Sequence, residues 1–109
     1  MPTLENSGNL TTDGTEQTIY TSTTTRLYKL YLNLKNMASG DAVEIRVKKQ
    51  LTGDSTTDPV FYARFEGAQP AEGKIVTTPG DFCAGGGLSF TIKRLAGTDR
   101  SYRWEVFSP

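Results

Sequence analysis

This chain has 109 residues, in which 12 Lys and Arg balance 12 Asp and Glu, with no His and a single Cys. That length suits one domain with a real core, and the charge balance excludes the basic footprint of a phosphate-tracking nucleic-acid binder or a polybasic membrane anchor. The lack of His removes the commonest general base and metal ligand, and one Cys allows no disulfide within the chain.

Residues 1–9 are polar, with Asn6, Ser7, Gly8 and Asn9 in succession, and read as a flexible N-terminal arm before a domain over residues 10–109. The start carries neither the basic nor the apolar stretch of a signal peptide, and no apolar run is long enough to span a bilayer. Synthesis and folding in a cytoplasm are expected. Thr12-Asp13-Gly14-Thr15 is a turn, and its Asp-Gly pair predicts a type I′ hairpin. Residues 17–22 follow as a strand with Ile19 and Tyr20.

The clearest strand covers residues 26–35. Tyr28, Leu30, Leu32 and Leu34 share one face, and Lys29, Tyr31, Asn33 and Lys35 share the other. A loop over residues 36–41, with room for one helical turn, leads to a strand in which Val43, Ile45 and Val47 point inward and Glu44, Arg46 and Lys48 outward. Residues 52–59 form a polar hairpin loop. Phe61, Ala63 and Phe65 then alternate with Tyr62 and Arg64. A loop over residues 67–73, a short strand over 74–78 and an irregular, Gly-rich connection over 79–87 come next. Leu88, Phe90 and Ile92 line the inner face of another strand. After a turn at residues 96–100, Tyr102, Trp104 and Val106 face inward, with Arg103, Glu105 and Phe107 outward.

Seven or eight strands with turns at short intervals predict an all-β, single-domain antiparallel β-sandwich, jelly-roll-like or, alternatively, immunoglobulin-like. Its expected core holds Leu30, Leu32, Val43, Ile45, Val47, Phe61, Phe65, Phe90, Ile92, Trp104 and Val106.

The chemistry-bearing candidates are few. Gly85-Gly86-Gly87 lacks the Lys-Ser/Thr and the helix of a phosphate-binding loop and reads as a flexible corner. Asp54 and Asp58 share one loop without the six to eight oxygens that calcium takes. Asp41 and Glu44 read as a turn acid and a surface acid rather than the differently placed carboxylates of a glycosidase. Cys83 has no His to act as its base and reads as a small packing residue beside Phe82 and Ala84. No catalytic residue, cofactor or metal site is assigned. The outward aromatics Tyr31, Tyr62 and Phe107 are the candidate interaction residues, able to stack sugar rings or to enter a subunit interface.

The segments Leu10–Ile19, Leu30–Leu34, Gly40–Arg46 and Ala96–Val106, in that order, resemble small β-structural proteins encoded by tailed phages and related viruses. Many of these are virion components, including capsid decoration (cement) proteins. The resemblance covers most of the chain from Leu10 onward, and its motifs are turns and strands. It implies a non-enzymatic virion protein, made in the host cytoplasm, with the major capsid protein as partner. Decoration proteins of this sort often sit as homotrimers on a capsid lattice. No site motif carries over residue by residue. The alternative from the residues alone is a carbohydrate-binding or host-attachment module using the exposed aromatics, and no nucleic-acid or membrane partner is expected.

Overall fold

The period-two alternation is realised as strands. The computed structural model describes residues 3–51, 53, 55–70, 74–78 and 82–109. These form β1 (Thr3–Thr11), β2 (Gln17–Ser22), β3 (Leu27–Asn33), β4 (Ala42–Lys49), β5 (Asp58–Glu66), β6 (Ile75–Thr77), β7 (Phe82–Cys83), β8 (Leu88–Ala96) and β9 (Ser101–Ser108). No helix occurs among the described residues.

Two sheets result. One has the order β1-β9-β3-β6, with the two-residue β7 also on β3, and the other has the order β2-β8-β4-β5. All the pairings are antiparallel. With β7 set aside, the first strand pairs with the last, the second with the second-last, the third with the third-last, and the middle two with each other. That is a long antiparallel ribbon rolled up on itself, which is the jelly-roll arrangement. The immunoglobulin-like alternative would put the first two strands side by side in one sheet, whereas β1 and β2 lie in different sheets.

The inner faces of the two sheets make one core. Leu30, Leu32, Val43, Ile45, Val47, Phe90, Ile92, Trp104 and Val106 are buried as expected, joined by Tyr28, Leu34, Leu88 and Tyr102 from the same strand faces. Phe61 and Phe65 are only half-buried against this core. Their strand, β5, is the last in its sheet, and among the described residues no strand pairs with its far side. Met37 adds a buried side chain from the β3–β4 connection, where its N–H donates to the Leu34 carbonyl at 3.1 Å and the turn swings it back inward.

Two expectations are corrected here. Residues 3–9 are not a flexible arm: they are most of β1, in register with β9 from Thr3 opposite Ser108 to Thr11 opposite Ser101. The Ser108 hydroxyl donates to Glu5, and Arg26 reaches the same carboxylate at 3.0 Å, so the strand is also held by its side chains. Gly8 lies opposite Trp104, and a Cβ there would stand 3.3 Å from the indole, tighter than ordinary van der Waals contact. The apparently featureless Gly lets the largest ring of the core fit beneath the edge strand.

The Asp13-Gly14 turn is the second correction. It joins strands of different sheets, so it is no hairpin. Gly14 takes a φ of 86°, but among the described residues no residue other than Gly, Asp13 included, has the positive φ that a type I′ turn would require of Asp13. Asp13 instead holds the corner by accepting from the Thr15 amide at 3.0 Å and the Thr15 hydroxyl at 2.6 Å.

Candidate interaction surface

Alternation fixes which side chains leave the core. On β3 these are Lys29, Tyr31 and Asn33, and on β9 they are Arg103, Glu105 and Phe107. The β3–β9 register sets Lys29 opposite Phe107 and Tyr31 opposite Glu105, so Tyr31 and Phe107 are diagonal neighbours. Their rings meet edge to face, with centroids 5.7 Å apart and planes at 89°. This is a preferred aromatic geometry.

Two aliphatic side chains extend the strip. Leu4 lies opposite Phe107 on β1 and is 48% exposed, and Ile75 lies opposite Asn33 on β6 and is 63% exposed. Lys29, Tyr31, Ile75, Glu105 and Phe107 line an open depression of about 620 Å³ on this outer face. The Lys29 ammonium lies 6.0 Å from the centre of the Tyr31 ring. The face therefore offers apolar area interspersed with charges of both signs, Lys29, Arg103 and Glu105. It can bury area against a partner while the charges orient that partner.

Tyr62 belongs elsewhere. It is 49% exposed on the outer side of the opposite sheet, with the Arg46 guanidinium 5.6 Å from its ring centre. The three aromatics singled out from sequence thus divide into a pair on one face and a lone ring on the other.

The remaining candidates have structural employment. Asp41 is buried at the end of the sandwich, where it accepts from the Ala38 amide at 2.9 Å, the Thr98 amide at 3.1 Å and the Arg100 guanidinium. This ties the β3–β4 connection to the β8–β9 connection. Gly97 makes the tie possible. It takes a φ of 87°, and a Cβ there would come within 2.2 Å of an Asp41 carboxylate oxygen and 2.7 Å of the Asp41 Cα. Gly97→Ala is expected to cost on the order of 3 kcal/mol, combining the left-handed backbone penalty with overpacking; chemical denaturation of the variant checks this.

Glu44, expected on the surface, is buried on the outer face of its strand and paired with Arg46 at 3.1 Å. Its cross-strand neighbours in the register are Arg64 and Lys93. Cys83 is exposed rather than packed, and the neighbouring Ala84 fills the core instead. The Gly85–Gly87 run is a corner tied to the end of β4: the Gln50 amide donates to the Gly87 carbonyl at 2.9 Å, and Lys49 donates to the Gly85 carbonyl. Asp58 begins β5 opposite Lys49 and accepts from the Thr56 hydroxyl at 3.4 Å. Asp54 lies outside the described residues.

Leu4 and Ile75 are the surface residues that sequence reasoning missed. Leu4 was assigned to an arm, and the outward side of the short strand at Ile75 could not be fixed without its pairing to β3. Among the described residues, no three His, Cys, Asp or Glu side chains converge, and no helix is long and apolar enough to cross a membrane. Comparison with known protein families, curated proteins and solved structures finds no match to this chain.

Proposed function

We propose that this chain is a non-enzymatic structural protein of a virion, a capsid decoration protein that stabilises the shell by bridging capsomers. A jelly roll hosts many functions, so the fold alone does not assign one. The observation that carries the reading is the open apolar strip of Leu4, Phe107, Tyr31 and Ile75 on the outer face of the β1-β9-β3-β6 sheet. It has the character of a contact area, and the resemblance to phage virion proteins points it toward the major capsid protein. A small domain makes few contacts, but a symmetric lattice repeats them, and a homo-oligomer engages several sites at once.

A second reading has its own observation. An aromatic pair flanked by Lys29 and Glu105 is also the arrangement that stacks a sugar ring and hydrogen-bonds its hydroxyls. Capsid heat stability and a glycan array separate the two. Shells lacking this protein are expected to rupture at a lower temperature. Wild-type protein added back should restore them, while a Tyr31→Ala/Phe107→Ala variant should not. An unchanged rupture temperature, together with selective binding to a glycan, would replace the decoration reading with the second one.

A further inference from the structure

β1 is the strand least tied to the core. It is nine residues long, none of its residues is buried, and among the described residues it pairs with β9 alone. Leu10 is its one hydrophobic residue packed against the core, and only in part. Release of β1 would leave the other eight strands and every buried core residue in place. An opening that breaks so few apolar contacts costs far less than unfolding the domain. It would bare the ladder groups of β9 and the indole of Trp104, and a bared edge is a template for another strand.

What that edge accepts is narrowly specified. The strand over Trp104 needs a Gly there, because a Cβ at residue 8 would stand 3.3 Å from the indole. Two residues on, Leu10 lies opposite Tyr102. Toward the other end, a carboxylate at residue 5 is met by the Ser108 hydroxyl and, at 3.0 Å, by Arg26. The Ser7 hydroxyl accepts from Arg103 at 3.2 Å. The segment that satisfies all four requirements is β1 itself, whether from the same copy or from another.

We propose that β1 is exchanged between copies of this chain, so that β1 of one copy lies on β9 of the next. The register is the one already described, Thr3 opposite Ser108 to Thr11 opposite Ser101, with the irregularity between Leu4 and Asn6 carried over unchanged. Exchange keeps every β1–β9 contact and alters only the connection, which makes it an accessible route to association. The connection is short. Thr12 extends the ladder, its amide donating to the Arg100 carbonyl at 3.1 Å, so it travels with β1. Glu16 is held on the other sheet by Lys48 at 2.6 Å and the Thr91 hydroxyl at 2.8 Å, so it stays. Residues 13–15 are therefore the hinge. In the closed chain they turn sharply, with Gly14 in the left-handed region and the Asp13–Thr15 hydrogen bonds holding the corner. The exchange closes reciprocally between two copies or head to tail around a ring of three. In either case Leu4 of one copy comes to lie beside Phe107 of the next, so the outer apolar strip is built from two chains. The inference does not depend on what that strip binds.

The test uses the isolated full chain in a Cys83→Ser background, because Cys83 is exposed and would otherwise cross-link. Asn9 and Arg103 are both exposed and directly opposed in the β1–β9 ladder, within disulfide reach. Asn9→Cys and Arg103→Cys chains, unfolded together and refolded as an equimolar mixture at about 100 μM, well above a micromolar dissociation constant, should form the mixed disulfide-linked pair under mild oxidation. Each chain treated alone should stay uncross-linked. Gly14→Val, which strains the closed corner but not an opened hinge, should raise the ratio of oligomer to monomer in sedimentation about tenfold, with an unaltered circular dichroism spectrum. If that variant does not fold, the mixed cross-link decides alone. A mixture that gives no interchain disulfide, an Asn9→Cys chain that cross-links with itself, or a folded Gly14→Val variant that stays as monomeric as wild type would overturn the proposal. Capsid binding is not part of the experiment, so either idea can fail without the other.

Discussion

Trp104→Ala is expected to lower the unfolding free energy by about 3–5 kcal/mol, the usual cost of deleting a large buried ring. Trp104 is 8% exposed and sits on β9 between two partners, opposite Leu32 on β3 and opposite Gly8 on β1. Neither side can collapse into the space the indole vacates. Leu32 is fixed in a central strand, and Gly8 has no side chain to bring in. A domain of this size has a total stability of roughly 5–15 kcal/mol, so the variant should be marginal or unfolded at physiological temperature. Because Trp104 is the sole Trp, unfolding must be followed by circular dichroism rather than intrinsic Trp fluorescence. Phe107→Ala, on the outer side of the same strand, is the control and should cost much less. A loss below about 1 kcal/mol for Trp104→Ala would mean that the ring is not a core residue.

Asp41→Ala is expected to cost about 3 kcal/mol, in the range seen when one member of a buried, hydrogen-bonded ion pair is removed. The carboxylate is 4% exposed and is the shared acceptor for the Ala38 and Thr98 amides and for Arg100. Its loss strands those donors and unties two connections at the same end of the sandwich. The site also gives stability a pH dependence. Burial alone would raise the pKa of Asp41, but the two amides and the Arg100 guanidinium outweigh it and hold the carboxyl below its ordinary 3.8. With the folded value below the unfolded one, the unfolded chain takes up the proton first as pH falls. The contribution is therefore complete well above 3.8 and is lost as pH falls through and below that value. Glu5, Asp13 and Glu16 are lowered too, chiefly by hydrogen bonds from Ser108, Thr15 and Lys48, so several groups shape the acid limb. The difference between wild type and Asp41→Asn isolates the one at issue. Denaturation midpoints measured from pH 6 down to pH 2 should converge for the two proteins toward the acid end. A constant gap over that range would show that the charge of Asp41 contributes nothing.

What the sequence disclosed depended on whether the governing contacts were local. β2 was readable from residue 17 to residue 22, and the inward and outward sides of β3, β4, β8 and β9 followed from parity alone. β1 was not readable. Asn6, Ser7, Gly8 and Asn9 carry no alternation, and what makes them a strand is a ladder to β9, nearly a hundred residues away. Gly8 has a reason to be Gly only once Trp104 lies beneath it. The Asp13-Gly14 turn was visible as a turn, but no local feature tells which sheet the chain enters next. Tyr31 and Phe107 were each legible as outward, yet their meeting needs the β3–β9 register, and adding Leu4 and Ile75 needs both edge pairings. Glu44 was misplaced because parity reads only which face a side chain takes: it lies on the outer face as read, yet is buried there and paired with Arg46 two positions along its own strand.

The central claim is that this jelly roll is a part of a capsid surface, and the protein inventory of purified virions tests it most directly. If the proposed function holds, the chain is encoded by a virus, and that virus's particles, purified away from unassembled protein and digested for quantitative mass spectrometry, should contain it at a fixed copy number. That number should follow the capsid lattice in ratio to the major capsid protein, as symmetric bridging between capsomers requires. Absence from washed particles, or a copy number that varies between preparations without relation to the lattice, would contradict the decoration account.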